Sequence, residues 1–542
     1  MFVQKVNREI MGEMKSKIFL LLIILSGWLV PGLRAQYVRT ETYPTERERR
    51  MRYALDDWLS YMQTNHVNSI AVGTNYIYFG TLDGGILRYQ LFQNYWDYPF
   101  TTSNGLPSNR VLTVAYDQGT GYLWAITESD NRIDTCIFKP AEQEWLCQAE
   151  ADYWPYTFPG VPTGPDTGIG YNVFYPREKI YQLPSYFADG GYTLTGDWII
   201  LDEHFDEFPV TGFLRDNWER MWFVIEGLGM GIGNTMSQRL KVVPLGLTEI
   251  SPRTLQYQYD DLWIAGEPRQ GREIKGIVRW RDDDGGWEYY QARWIANLPS
   301  DNVADIEVTG DSVWFATDWG VSLFNIAKNE WKNFSVREGL FNQVVQDLQV
   351  CGSKLYIGTI QGLNVLDLSS GLIKRIKDKP IHLATIYQLA CQQDTVWAAT
   401  NRGILRFRSP SQGWEAVPIR AAIQDLPTLS VEVFEDEVWF TSPGGVFWYN
   451  TRADKWESFP QIGMELQGPF SDLAVNAVSV WVSTPEGLLK FDRERHYWRL
   501  FTVEDGLLDN ECHRLLLDGD FIWVANRSGI TQFYWNNPHR ID

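Results

Sequence analysis

The chain has 542 residues, 25 of them Trp, and a formal net charge of −20 at pH 7. That length exceeds what one ordinary core serves but suits a repeat array, and the aromatic load suits stacked sheets that need large fillers. The negative charge argues against a nucleic-acid backbone or an anionic membrane as partner.

In chain order, Lys15 and Lys17 precede the apolar run 18–33, and Arg34-Ala35-Gln36 follows. A basic segment, an apolar segment and a small residue before the break predict a signal peptide over 1–35, cut after Ala35. Residues 36–57 form a charged arm, in which Thr45 and Glu48 predict a capping box and a short helix. No later stretch approaches the ~18 apolar residues of a membrane span, so the mature chain is expected not to cross a bilayer by a helix.

Trp58–Tyr61 has the character of an outer strand with no strands before it. A β region is predicted from there to 535, with a short tail over 536–542. Its units show best in the second half, where VWFATDWGVSLFN at Val313 is a hairpin closed at Gly320. Related hairpins carry the anchors Trp314, Tyr356, Trp397, Trp439, Trp481 and Trp523, at spacings of 42, 41, 42, 42 and 42. A period near 42 with about four short strands per unit predicts a β-propeller. Earlier units carry Tyr78, Trp124, Trp222 and Trp263, and the period lapses over about 148–190, a stretch rich in Pro, Gly and aromatics. Residues 191–210 read as two strands of a degenerate extra blade. The last unit, near 512–535, lacks a fourth strand, which Trp58–Tyr61 supplies by pairing.

Two arrangements follow. One is a single closed ring of about ten blades, and the other a seven-bladed ring over 251–535 with a separate N-terminal β domain. The complementary chain ends favour the single ring, because an open N-terminal piece leaves a sheet face wet.

The hairpins share W-x-x-T-x-x-G-[IVL], and the links between units are related, as in REGLFNQ (337–343) and EDGLLDN (504–510), the latter of the form D/E-G-L-x-x-N. This combination resembles the two-component-regulator propeller repeat. The resemblance implies an exported bacterial propeller of the kind found in extracytoplasmic sensors and in proteins associated with type IX secretion. It names no ligand, and an accessory subunit acting with a separate membrane partner is one alternative it leaves open.

The turns between second and third strands lie on one propeller face and should set Trp319, Gln361, Arg402, Glu486 and Arg527 in a ring there, with Asp83. The insertion should rise beside them and present Trp154 and Tyr156, which together make a recognition surface for a protein or a glycan. Cys136 and Cys147 face each other across a predicted hairpin, so an exported chain can join them. No metal or cofactor is expected: Asp202, His204 and Asp206 read as a polar turn, and Asp282-Asp283-Asp284 as a hairpin tip without the spacing of a calcium loop. The expected function is a non-catalytic binding scaffold. The alternatives are a propeller lyase or hydrolase acting on a polysaccharide, and a sensory or secretion-system accessory subunit.

Overall fold

A computed structural model describes residues 38–159, 169–269, 275–281, 285–407, 413–417 and 426–540. The predicted signal peptide and Asp282–Asp284 lie outside them.

Among the described residues ten sheets form, each built on four antiparallel strands. The repeat motif has a simple physical basis. In five hairpins a Thr hydroxyl, of Thr81, Thr317, Thr359, Thr400 or Thr484, closes the turn from both sides, as at Thr359, which donates to the Gly362 carbonyl at 2.8 Å and accepts the Gln361 N–H at 3.2 Å. Gly320 stands at φ 119°, where a Cβ would run into the Phe334 carbonyl, so this position demands glycine. The leucines of the linking loops, Leu106, Leu298, Leu340 and Leu507, are all buried.

Seven of the sheets close a ring. Their inner strands are Ile250–Gln258, Val303–Thr309, Val345–Cys351, Ile386–Gln392, Ser430–Phe434, Leu473–Val475 and Cys512–Asp518. Each packs beside the next, and the last packs beside the first. Leu255, Ile264 and Val278 of the first blade share a core with Trp523, Ala525 and Ile530 of the last. The favoured single ring of ten is therefore corrected: the ring has seven blades, and the three N-terminal sheets stand outside it.

The chain ends nevertheless pair as expected. Trp58–Tyr61 lies antiparallel to the last strand, Trp58 opposite Phe533 and Tyr61 opposite Ile530. Trp58 is fully buried and stacks on Phe533 at 3.7 Å. This strand leaves the ring again, so its pairing does not oblige the next three sheets to join.

Those sheets, Val67–Phe100, Val111–Cys147 and Glu207–Pro244, make a three-sheet module with the first in the middle. Alternation sorts the side chains. On Tyr76–Thr81, Tyr78 faces the second sheet, while Ile77 and Phe79 face the third. The module's two outer faces are not wet, because the insertion covers both. Trp154, Tyr156 and Phe158 stand edge-on to Trp124 of the second sheet. Tyr175, Ile180, Tyr186, Trp198 and Ile200 pack on Phe213, Met221 and Phe223 of the third. The short strands Thr193–Leu194 and Ile199–Leu201 extend that third sheet instead of forming an extra blade.

The charged arm braces the joint between ring and module. Val38–Thr40 adds a fifth, parallel strand to the blade ending in Tyr497–Phe501. Thr45 caps the helix Glu46–Arg50, accepting the Glu48 N–H at 3.2 Å. From that helix, buried Arg49 donates to the Asp505 carbonyl of a ring loop at 3.1 Å and to the Thr102 carbonyl of a module loop at 3.4 Å.

Cys136 and Cys147 sit opposite each other in register and are disulfide-bonded. A second disulfide joins Cys351 to Cys391, at the ends of neighbouring inner strands.

Candidate binding crevice and central channel

The five ring turns expected to form a recognition face each join the second and third strands of a ring blade, and much of their polarity is spent. Arg402 donates to the Pro380 and His382 carbonyls at 2.9 and 3.1 Å. Glu486 accepts the Gln467 N–H at 2.9 Å, and Gln361 accepts from Asn342 at 3.1 Å. These side chains tie each turn to the neighbouring link. Trp319 and Arg527 stay exposed, and Arg527 keeps a loose ion pair with Glu511 at 3.4 Å. Asp83 belongs to the module and so falls outside the ring. Trp154 and Tyr156 are half-buried against Trp124, so they serve as packing for the module's second sheet.

The ring's axis holds a cluster not read from the sequence. A cavity of about 620 Å³ lies elsewhere, between ring and module, but the axial one, of about 320 Å³, is lined by all seven inner strands. On or beside each inner strand, nine before each anchor, stands a polar residue: Thr254, Asp305, Asp347, Gln388, Ser430, Asp472 and Arg514, of which Gln388, Asp472 and Arg514 line the cavity. Several hold the next blade by accepting a backbone N–H: Asp305 from Leu348 at 3.0 Å, Asp347 from Leu389 at 2.8 Å, Gln388 from Val431 at 2.9 Å, and Asp472 from Leu515 at 2.8 Å. Arg514 spans the axis to Asp305 at 2.8 Å and approaches Asp347 and Asp472 at 3.7 Å each.

Glu307 and Glu432 stand one step further along the same strands. Five carboxyl groups thus face one guanidinium, and they cannot all ionise cheaply. Burial raises the pKa of Asp305, Asp347 and Asp472. It pushes Glu307 up to about 7, and Glu432, beside Asp472, up to about 8. Burial opposes the charge on Arg514, but Asp305, Asp472 and Asp347 outweigh it and raise its pKa.

A crevice opens between module and ring. It has two lobes, of about 620 and 520 Å³, which share Pro244 and Trp287. In the first lobe, Tyr95, Trp96 and Tyr98 of the module's outer strand face Trp280 and Trp287 of the first ring blade, with Tyr61 at the base. Trp280 and Trp287 are cross-strand partners, stacked at 5.0 Å. Tyr61 leans on Trp280 at 4.7 Å. In the second lobe, His204 stacks on Trp294 at 4.2 Å, and Asp206 pairs with Arg293 at 2.6 Å. Asp202 accepts the backbone N–H groups of His204 and Asp206 at 2.9 and 2.8 Å, which makes this segment the expected polar turn and fastens the insertion to the ring.

Comparison with known proteins adds fold likeness only. No protein-family model matches the chain, and no curated protein matches it. Among solved structures, the extracellular domain of a putative hybrid two-component system from B. thetaiotaomicron is 14% identical, with 86% of this chain and 70% of that one covered at a TM-score of 0.43. PorZ, a bacterial surface component of the type IX secretion system of Porphyromonas gingivalis, is 13% identical over 88% of this chain and 87% of its own, at a TM-score of 0.33. Virginiamycin B lyase from Staphylococcus aureus is 13% identical over 52% of this chain and 94% of its own, at 0.43. No helix among the described residues is long and apolar enough to cross a membrane.

Proposed function

We propose that the chain is an exported binding scaffold that recognises a protein or a glycan, and that the crevice between module and ring is where it does so. The observation that carries this reading is the first lobe. It is an opening of about 620 Å³ at a joint between two units, and aromatic side chains line it. The axial carboxylates support a structural role for the channel, since Asp305, Asp347 and Asp472 each hold a neighbouring blade by its backbone. The mature chain, beginning at Gln36, should retain a ligand in a cell-surface pull-down or on a glycan array. Replacing Trp287 by Ala should weaken that retention, and replacing Trp319 by Ala should not. Loss through Trp319 alone would move the site to the ring face.

A second reading is kept for the raised Glu307 and Glu432, since carboxylic acids poised near neutral pH suit general acid chemistry on a polysaccharide. Cleavage of a polysaccharide by the purified chain, abolished in Glu432→Gln, would favour it.

A further inference from the structure

We infer that the first lobe of the crevice takes a proline-rich segment of a partner protein in the extended polyproline conformation. This deepens the scaffold reading and rests on it.

The lobe's module wall is the strand Tyr95–Phe100, the free edge of its sheet. Such an edge would ordinarily accept a further β-strand. At Tyr98 and Pro99 its backbone groups are already used. The Tyr98 N–H donates to Asp97 at 2.8 Å, and the Tyr98 carbonyl accepts from Arg88 at 2.8 Å. Pro99 has no N–H, and its carbonyl accepts from Asn104 at 3.0 Å. A ligand must therefore be gripped by side chains.

The side-chain acceptors are also spent. Asp97 accepts from Tyr76 at 2.9 Å and pairs with Arg88 at 3.3 Å. Asn94 accepts from Tyr89 at 3.4 Å and from Arg220 at 3.3 Å. The donors are not. The indole N–H groups of Trp96, Trp280 and Trp287, the Tyr61 phenol and the Lys241 ammonium have no hydrogen-bond partner among the described residues. They also differ from the enclosed indoles of Trp58 and Trp124, which are sealed from solvent.

The lobe thus offers flat apolar faces and an excess of donors. Its best complement is a ligand with apolar ridges, many acceptors and few donors. A polyproline segment has that chemistry: its rings stack on aromatic faces, its carbonyls point outward, and its prolines carry no N–H. It is also stiff before binding, so little chain entropy is lost. An oligosaccharide brings about as many O–H donors as acceptors, and those donors would be left unmatched here at a cost of about 1–3 kcal/mol each.

The test is fluorescence anisotropy of fluorescein-labelled decaproline with the mature chain 36–542, with an alanine-serine peptide of equal length and chitohexaose as competitors. Decaproline should bind saturably and resist both competitors. Trp280→Phe keeps a ring but removes the N–H, and it should weaken binding about tenfold with an unchanged melting curve. Tyr95→Ala and Lys241→Ala change exposed side chains and should each weaken it severalfold, which keeps the test valid if Trp280→Phe misfolds. Absence of saturable binding, or binding indifferent to all three changes, would overturn the inference. Displacement by chitohexaose would overturn it too, yet leave the scaffold reading standing with a glycan as ligand.

Discussion

At the scale of single residues, most of the periodic positions serve closure. The anchors and the T-x-x-G turns were legible because their side chains repeat in type as well as place. The axial positions repeat in place only. Nine residues before each anchor stand Thr, Asp, Asp, Gln, Ser, Asp and Arg, and this mixture of types hides the pattern. Six of them reach the next blade or the axis, and Ser430 bonds Thr441 of its own blade. The raised carboxyl groups make stability depend on pH. Glu307 and Glu432 titrate near 7 and 8 when folded, above their ordinary value of 4.5. Their contribution is then complete below about pH 4.5 and is lost as pH rises through 7 to 8. Glu432→Gln keeps the shape and removes the charge, next to Asp472 and Arg514. Thermal or denaturant unfolding should find the variant more stable than the parent at pH 8.5, by roughly 1–3 kcal/mol, with the gap closing by pH 5. A gap that widens as pH falls would contradict the burial of this group.

At the scale of elements, the strand Trp58–Tyr61 and the insertion carry the most information. The former was legible from its likeness to other outer strands and from the last unit's missing edge. Its consequence was not, because a strand can complete a blade and then leave the ring. Trp58→Ala removes a fully buried side chain that stacks on Phe533, and should cost about 3–5 kcal/mol. Hydrogen exchange should then rise first over 512–534, with the sheet at 67–100 keeping its protection. Equal loss in both would mean that the strand belongs to the module. The insertion's aromatics were read as a surface because unassigned aromatics outside the repeat have no obvious core. They have one, since an open stack has two outer faces to cover. Trp154→Ala should expose Trp124 and increase dye binding to apolar surface, with the ring's protection intact. Increased exchange across the ring instead would place the insertion on the wrong unit.

At the scale of the whole molecule, the sequence pointed to a propeller but not to how many units close. Period and strand character are the same inside and outside the ring, so repeat counting cannot separate them. What separates them is the contact between the strands Ile250–Gln258 and Cys512–Asp518, which are far apart in sequence and adjacent in space. The crevice exists only because of that contact: a ring closed at seven leaves the module beside it, with aromatic walls facing each other across the gap. The direct measurement is a cross-link between Tyr257 and Asp518, whose side chains meet at 3.1 Å across the closing pair of blades. Both are changed to Cys in a chain of residues 36–542 and treated with a short bis-maleimide, and the linked peptides are identified by mass spectrometry. Closure at seven blades predicts an intramolecular link between these positions in the folded monomer. In a ring of ten the three module sheets would stand between them, so the absence of that link in a folded, reagent-accessible double variant would contradict the account.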